Sequence, residues 1–550
     1  MESNRRTVAE LVAARWDDHR PGLWFEERTL THHQVAAGAA ARAALLTDLL
    51  PPGSHIGALL DNTPEFPLWL SAAALARTAV AGINPTRRGP ELARDILHTE
   101  CRILVTEPAQ LPLLEDLELP GVQLLVTGTE EYDALLAPYA DARPDASAAT
   151  PSDRLLLYFT SGSTGAPKAA ICTQGRLAAA GRSLADQFGV RADDVHYICM
   201  PMFHGNAVIA DWAPALAAGA GVALRRRFSA SGFLGDVRRY RATYFTYVGR
   251  AVQYLLATPE RADDRDNPLR MGFGTEAGAV DAAAFERRFG VRLVEGYGSS
   301  EGGAAVQWSP GTPSGAVGRA GPGLVVLDPE TRKECPAALF DAAGQLLNGD
   351  EAIGELVNQG PNPFEGYWRN PEAEGERRRW GGWYWTGDLF CRDPDGYLYF
   401  AGRTDDRLRV DSENLAAAMI ENILARYEGA DAVAVYAVPD PVTGDQVMAT
   451  VAGSFDPQTF TAFLTAQPDL GTKMAPRFVR VVERMPVTAT NKIHRALLRR
   501  EALHCPDPIW WRPPGTRTYR RLTPKDLEGP LAPTRGPAEI RHQGRAPRPR

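Results

Sequence analysis

The sequence predicts an α/β protein with a large N-terminal α/β domain and a small C-terminal α+β domain. Strand-like segments IGALLDN, TAVAGIN, RILVTE and VQLLVTG alternate with alanine-rich helical stretches in the first 130 residues, a rhythm typical of a largely parallel sheet. After Arg403 the pattern changes to a helical stretch, ENLAAAMIENILARY, and two strands, DAVAVYAV and VMATVAG. Because 550 residues exceed one ordinary core, we expect two unequal domains.

These patterns also set the expected domain boundaries. The large domain takes residues 1–404, the small domain takes residues 405–510, and residues 511–550 form an extension. The end of the extension is rich in Pro, Gly and Arg and poor in apolar residues. Such a composition cannot bury a core, so its last part is predicted to be disordered and is assigned no function.

The composition is that of a soluble globular protein, with 44% apolar and 23% charged residues. A formal charge of −7 argues against a general nucleic-acid binder, which displays a basic face. The six cysteines show neither a CxxC pair nor metal-ligand spacing, so reduced thiols are expected. The first residues lack the apolar core of a signal peptide and predict an amphipathic helix. The alanine-rich stretch 68–83 is short and predicts a buried helix rather than a membrane span. A cytoplasmic location without a transmembrane segment is therefore expected.

A loop rich in hydroxyls and glycines follows the strand-like run LLLYF. Residues 160–168, TSGSTGAPK, bring three kinds of phosphate-binding group together: hydroxyl donors, backbone N–H groups that glycine leaves accessible, and the ammonium of Lys168. The loop differs from the Walker pattern, because its lysine follows a proline. It predicts a site for a polyphosphate.

Five further segments accompany this loop in a fixed order. They are PMFHGNA (201–207), EGYGSSEG (295–302), WYWTGDL (383–389), GRTDDRLRV (402–410) and PVTATNKIHR (486–495). Together with YFTSGSTGAPK they resemble the motifs of the adenylate-forming superfamily. A narrower resemblance, to the branch of bacterial fatty-acid-CoA ligases and fatty-acid transport proteins, is carried by LLDNTPEF, GINPTRRG and DPIWWRP. The resemblance runs from about residue 20 to 500 and implies mixed sheets, a mobile small domain, and ATP and Mg²⁺ as cofactors.

The resemblance also implies roles for individual residues. The phosphate-binding group comprises Thr160, Ser161, Gly162, Ser163, Thr164, Gly165 and Lys168. The segment that flanks adenine and the α-phosphate comprises Tyr297, Gly298, Ser299 and Ser300. Asp388 matches the ribose-binding acid, Arg403 matches an arginine that contacts ribose or phosphate, and Glu301 matches the Mg²⁺ ligand.

Lys492 matches the lysine that reaches the α-phosphate and the attacking oxyanion, and Thr164 and Glu301 complete the expected catalytic set. A preorganised cation there stabilises the charge that develops in the transition state. The resemblance implies that His204, Asp211 and Gly274 line the substrate pocket and that Asp405 is the hinge of the small domain.

Two departures from the family pattern bear on the second half of the reaction. Ser412 stands where CoA-forming relatives have a glycine that lets the pantetheine arm pass, and Met419 stands where a glutamate is common. Asp211 interrupts an apolar run in GNAVIADWAPALAAGA. A buried charge needs a partner, so either a neighbouring Arg or Lys neutralises Asp211 or the substrate carries an amine or another donor.

Three functions are therefore compared. The leading one is activation of a small carboxylic acid as acyl-AMP with release of pyrophosphate, followed by transfer to CoA or a carrier-protein thiol. The alternative is adenylation of nitrite and transfer to an aromatic amine, which gives a diazonium product. The third is a non-catalytic nucleotide-binding protein, which retention of Lys168, Glu301, Asp388, Arg403 and Lys492 argues against.

Overall fold

The structure is a computed structural model in which two compact units are distinguished. It describes residues 6–160, 168–277, 279–299, 301–304, 306–341, 344, 346–360, 364–404, 407–410, 413–440, 444–467, 470–471, 473–488 and 492–528. The first unit comprises Met1–Phe400 and Val487–Lys492, and the second comprises Ala401–Pro486 and Ile493–Arg550.

The strands and helices are named in chain order. The strands are β1 (Pro21–Phe25), β2 (Arg28–Thr31), β3 (His55–Leu59), β4 (Ala79–Gly82), β5 (Cys101–Thr106), β6 (Gln123–Val126), β7 (Arg154–Thr160), β8 (Lys168–Thr173), β9 (Val195–Ile198), β10 (Gly221–Leu224), β11 (Tyr244–Val248), β12 (Met271–Thr275), β13 (Arg292–Glu295), β14 (Val306–Gln307), β15 (Gly318–Ala320), β16 (Leu324–Leu327), β17 (Gly354–Asn358), β18 (Arg378–Arg379), β19 (Trp383–Arg392), β20 (Tyr397–Arg403), β21 (Arg407–Val410), β22 (Glu413–Ala416), β23 (Ala430–Asp440), β24 (Gly444–Gly453), β25 (Phe478–Val482), β26 (Ile509–Trp511) and β27 (Arg520–Arg521). The helices are α1 (Val8–Ala13), α2 (His32–Leu49), α3 (Glu65–Leu75), α4 (Gly89–His98), α5 (Glu130–Leu136), α6 (Gln174–Phe188), α7 (Gly205–Ala207), α8 (Ala213–Ala218), α9 (Ala230–Tyr240), α10 (Gly249–Leu256), α11 (Ala279–Phe289), α12 (Gly349–Ala352), α13 (Pro371–Arg377), α14 (Ala417–Leu424), α15 (Pro457–Ala466), α16 (Arg495–Glu501) and α17 (Pro524–Glu528).

The first unit contains three sheets. One has the strand order β13-β12-β11-β9-β10-β1-β2 and is parallel except for β2. The second has the order β6-β5-β3-β4-β7-β8 and is parallel except for β8. The third, β14-β15-β20-β19-β17-β16, contains antiparallel pairs. These mixed sheets confirm the predicted fold class.

Local sequence explains how the first unit begins. Thr7 and Glu10 form a reciprocal capping box at the start of α1, whose Val8, Leu11 and Val12 are buried as the amphipathic pattern predicted. The stretch 68–83, predicted as a buried helix, contains the end of α3 and all of β4, which lies in the strand-like run TAVAGIN. Arg77 lies between them with φ of 57°, a left-handed conformation that ends the helix. Among the described residues, no helix is long and apolar enough to cross a membrane.

The second unit is built on one sheet with the order β22-β21-β24-β25-β26-β27, in which β23 also pairs with β24. Residues 511–528, predicted as part of an extension, differ from that prediction. β26 pairs with β25, and Trp511 and Tyr519 are only 2% and 6% exposed in the cores of this unit. Two large aromatic side chains bury enough apolar area to hold this segment on the sheet. The predicted disorder of the last part falls on residues 529–550, outside the described residues.

Candidate active site

Three neighbouring strands of the first sheet end at one edge of the large unit. β11, β12 and β13 are parallel, so the segments that follow them emerge side by side. Gly274 lies in this row, between Tyr247 and Glu295 of the adjacent strands. A Cβ atom at Gly274 would lie 2.3 Å from the Tyr247 carbonyl oxygen, so only glycine fits. Its predicted role in the substrate pocket stays a prediction.

Two residues predicted to bind adenosine lie in contact. The Tyr297 hydroxyl, in the segment after β13, donates to Asp388 Oδ2 at 2.7 Å. Asp388 is on β19, and its backbone N–H donates to the Thr386 hydroxyl at 3.1 Å. The Tyr297 ring also meets Phe390 edge to face, with ring centres 4.8 Å apart. The fold thus brings together two motifs that are 91 residues apart.

Glu301, the predicted Mg²⁺ ligand, is 6% exposed and accepts a 2.9 Å hydrogen bond from the Tyr367 hydroxyl. Arg377 donates to the same hydroxyl at 3.4 Å and to the Thr386 carbonyl at 2.6 Å. Burial opposes the charge of Arg377, but nearby Tyr384, Tyr367 and Glu301 raise its pKa above the ordinary value. Arg377 therefore stays a cation beside a buried carboxyl group.

The ends of the phosphate loop are held by a pair of antiparallel strands. Thr160 ends β7 and is paired with Lys168, which begins β8. The Lys168 ammonium lies 3.0 Å from the Glu376 carboxylate, and its side chain is only 12% exposed. Of the remaining predicted site residues, seven lie outside the described residues: Ser161, Gly162, Ser163, Thr164, Gly165, Ser300 and Asp405. Ser412, which departs from the pattern of CoA-forming relatives, also lies outside them.

Lys492 reaches the edge formed by β11, β12 and β13. Its ammonium donates to Glu276 Oε1 at 2.8 Å, and Glu276 directly follows β12. His204 lies near the same charges: burial and the charge of Lys492 lower its pKa to about 4, although Glu301 opposes this shift. His204 is therefore neutral at pH 7, and its Nδ1 accepts from the Asn206 backbone N–H at 3.5 Å. Its role as a gate stays a prediction.

The remaining predicted residues lie elsewhere in the described structure. Gly298 and Ser299 follow Tyr297, and the Ser299 hydroxyl accepts from the Gly302 backbone N–H at 3.2 Å. Arg403 ends β20, is exposed and belongs to the second unit. Met419 lies half-buried on α14 of that unit.

Asp211 has an internal partner, but it is not the one expected. Its carboxyl group is fully buried in a π-helical turn, Val208–Trp212, that continues α7. His196 Nδ1 lies 2.9 Å from Oδ1, while the Thr246 hydroxyl and backbone N–H donate to Oδ2 at 2.8 and 3.2 Å. The expectation that an arginine or lysine neutralises Asp211 is wrong. Because β9 and β11 supply these partners, both carboxyl oxygens are used inside the core rather than offered to a substrate.

Several residues that contact predicted site residues were not themselves predicted from the sequence. Tyr367, Arg377 and Glu376 lie in the segment GYWRNPEAEGERRRW, where an aromatic and basic run precedes WYWTGDL. Glu276 and Glu295 lie at the ends of strands, where parallel sheets bind ligands, and that position was the available signal. Burial raises the pKa of Glu295 to about 7.

The hydrogen bond between Tyr297 and Asp388, the buried Glu301 and the contact of Lys492 with Glu276 lie on a mixed-sheet fold of the class expected for an adenylate-forming enzyme. The family model for the AMP-binding enzyme matches residues 9–368, and the model for the AMP-binding enzyme C-terminal domain matches residues 419–492. The chain belongs to the AMP-binding enzyme family and is an ATP-dependent ligase similar to acyl-CoA synthetases.

The relatives extend over almost the whole chain. A steroid-22-oyl-CoA synthetase of Rhodococcus jostii (strain RHA1) is 49% identical over 534 residues, 95% of this chain and 96% of that protein. The medium/long-chain-fatty-acid–CoA ligase FadD17 of Mycobacterium marinum is 43% identical over 513 residues, 92% of this chain and 98% of that protein. The structure of this chain also resembles the crystal structure of the anthranilate CoA ligase AuaEII in complex with anthranoyl-AMP, with a TM-score of 0.80 and 21% sequence identity. The match covers 90% of this chain and 97% of that chain and shows that the two share a fold.

The Asp211 network yields a prediction about stability. Replacing Asp211 with alanine leaves His196 and Thr246 buried without their acceptor, so we expect the free energy of unfolding to fall by about 3 kcal/mol. Urea-induced unfolding followed by tryptophan fluorescence measures this change. The control is Asp141→Ala at an exposed position, where the change should stay within about 0.5 kcal/mol. Equal losses in the two variants would show that the network does not stabilise the fold.

Proposed function

We propose that this enzyme joins the carboxylate of an apolar organic acid to coenzyme A in two steps. In the first step, a carboxylate oxygen attacks the α-phosphorus of ATP, the bond to pyrophosphate breaks, and acyl-AMP forms. In the second step, the CoA thiol loses its proton and attacks the acyl carbon, and AMP leaves. The observations that carry the proposal are the Tyr297–Asp388 hydrogen bond, the buried Glu301 and the Lys492–Glu276 contact, all within the first unit, where the charges of both Lys492 and Glu301 act on His204.

The first step uses the residues of the large unit. Thr160, Lys168 and the loop between them bind the β- and γ-phosphates, while Tyr297 and Asp388 hold the adenosine. Glu301 is suited to hold Mg²⁺, because one carboxylate together with phosphate oxygens is a normal arrangement for this ion. Among the described residues, no group of three His, Cys, Asp or Glu side chains has metal-binding geometry, which fits a metal bound mainly through the nucleotide. When bound, Mg²⁺ neutralises phosphate charge.

Lys492 supplies the charge that the reaction itself requires. In-line attack brings the carboxylate and the α-phosphate oxygens together, and both are negative. An ammonium group held between them stabilises this arrangement more than it stabilises the separate reactants. Neutral His204 adds no competing positive charge, since its pKa of about 4 keeps it uncharged at pH 7.

The substrate class follows from the relatives together with Asp211. The relatives that cover most of the chain are named for a steroid-22-oyl group and for medium- and long-chain fatty acids. The observation that suggested an amine-bearing substrate was Asp211, and His196 and Thr246 account for its carboxyl oxygens. We therefore propose an apolar acid, with a steroid side-chain carboxylate as the first candidate. Transfer to a carrier-protein thiol has no comparable support, and neither has adenylation of nitrite with transfer of the nitrosyl group to an aromatic amine.

Replacing Lys492 with alanine tests the adenylation step. We expect Lys492→Ala to lower ATP–pyrophosphate exchange by at least about a hundredfold, because the developing charge loses its cation. ATP affinity, measured by calorimetry, should change by less than about threefold, since the lysine acts mainly in the transition state. Lys333→Ala, at an exposed position of the same unit, is the matched control. Exchange at the wild-type rate would remove Lys492 from the mechanism.

A substrate panel tests the acid and the acceptor. The enzyme, ATP, Mg²⁺ and CoA are incubated with a steroid-22-oic acid, with fatty acids of increasing length, or with acetate, and AMP and acyl-CoA are quantified by mass spectrometry. Each buried methylene contributes about 0.8 kcal/mol, so kcat/KM for the large acids should exceed that for acetate by well over about tenfold. A parallel reaction contains nitrite and an aromatic amine. AMP formation only in that reaction would contradict the proposal.

A further inference from the structure

Glu295 is a buried acid for which the two-step reaction assigns no role. It ends β13, and its Oε1 accepts hydrogen bonds from the Tyr247 hydroxyl at 2.8 Å and from the Ala277 backbone N–H at 3.0 Å. The Glu276 backbone N–H also bonds to this carboxyl group. The Tyr247 hydroxyl in addition lies 3.1 Å from the Val294 carbonyl oxygen. Glu295 therefore joins the ends of β11, β12 and β13.

The segment that Glu295 holds has an unusual backbone conformation. Glu276 has φ of 70°, in the left-handed region that residues with a side chain seldom adopt. Gly249 lies directly against it: a Cβ atom at Gly249 would be 1.7 Å from the Glu276 carbonyl oxygen. Such a conformation persists only where the surroundings impose it, and residues like this concentrate at functional sites. Here Gly249 leaves the space, and Glu295 provides the hydrogen bonds.

The held residue contacts the lysine expected to catalyse adenylation. Glu276 Oε1 accepts from the Lys492 ammonium at 2.8 Å, and the two side chains are 40% and 30% exposed. An ammonium group has three N–H donors, so one bond to Glu276 leaves two to bind the reacting oxyanions. The direction of the ammonium depends on where the Glu276 carboxylate lies, and the Glu276 backbone fixes that position.

We propose that Glu295 is a positioning residue for adenylation, because it holds Glu276 in the conformation from which its carboxylate orients Lys492. The proposal rests on the proposed function, in which Lys492 acts on the α-phosphate. Neither Glu295 nor Glu276 contacts the substrate in this account. Their effect is confined to the first half of the reaction, since attack of the CoA thiol on preformed acyl-AMP does not use Lys492.

Four variants separate the steps of this argument. Glu276→Gln keeps the shape of the side chain but removes the charge that orients Lys492. Glu295→Ala removes the acceptor, whereas Glu295→Gln keeps a carbonyl oxygen for the Tyr247 and Ala277 donors and serves as the conservative rescue. Tyr247→Phe removes one donor. Thermal unfolding and ATP binding show that each variant is folded before its kinetics are compared.

Both half-reactions are measured for each variant. The first assay follows adenylation of the acid, and the second follows thioester formation from a purified acyl-adenylate. We expect Glu276→Gln and Glu295→Ala to lower the adenylation rate by about tenfold to a hundredfold, because a small displacement of a catalytic group has effects of that size. Tyr247→Phe should lower it by a smaller factor, and Glu295→Gln should stay within about threefold of wild type. Thioester formation from the acyl-adenylate should be unchanged within about twofold in all four variants.

The double variant Glu276→Gln/Glu295→Ala tests whether the two acids act in series. If Glu295 acts through Glu276, the double variant loses no more adenylation activity than the more severe single variant. Losses that multiply, or an equal loss in both half-reactions, would overturn the proposal. If Glu295→Ala does not fold, Glu276→Gln and Tyr247→Phe decide, and normal adenylation in both would overturn it.

The same assays distinguish failure of this proposal from failure of the proposed function. Wild-type enzyme that forms no AMP with any acid would contradict the function itself. A different outcome would overturn only the positioning role. In that outcome the wild-type enzyme is active and Lys492→Ala abolishes the activity, but Glu276→Gln and Glu295→Ala adenylate normally.

Discussion

The close approach of backbone segments at the ends of β11, β12 and β13 determines where the site residues of the large unit lie. Gly274 packs against the Tyr247 carbonyl, and Gly249 packs against the Glu276 carbonyl, so neither position has room for a side chain. This closeness brings Glu276, Glu295 and the segment containing Tyr297 to one edge of the sheet. Lys492 contacts Glu276 at that edge, and Tyr297, which follows β13, donates to Asp388 on β19.

Hydroxyl groups are hydrogen-bond partners of several acids in this unit. Tyr297 donates to Asp388, Tyr367 donates to Glu301, Tyr247 donates to Glu295 and Thr246 donates to Asp211. A hydroxyl satisfies the hydrogen-bonding capacity of a carboxyl group without neutralising its charge. Burial raises the pKa of Glu295 and that of Asp211, although hydrogen bonds to both acids, and the charge of His196 beside Asp211, oppose the shift.

The fold class could be predicted from the sequence alone, because strand periodicity and short motifs are local, while the roles of the residues in those motifs stay predictions. The sequence did not predict Tyr367 as the partner of Glu301, since that contact joins positions 66 residues apart. The partner of Asp211 was missed for the same reason: His196 and Thr246 come from two other strands, and only their pairing makes them neighbours. The segment ending at residue 528 was misjudged because its many Pro and Arg residues outweighed Trp511 and Tyr519, which tertiary packing buries.

The central claim is that a carboxylate oxygen attacks the α-phosphorus of ATP and that the acyl group then leaves AMP for a thiol. The most direct measurement uses an acid labelled with ¹⁸O in its carboxylate, with mass spectrometry of the AMP and pyrophosphate after one turnover. Cleavage of acyl-AMP at the acyl carbon leaves the bridging oxygen on phosphorus, so the account predicts one ¹⁸O atom in AMP and none in pyrophosphate. Unlabelled AMP, or label in inorganic phosphate together with ADP, would contradict it.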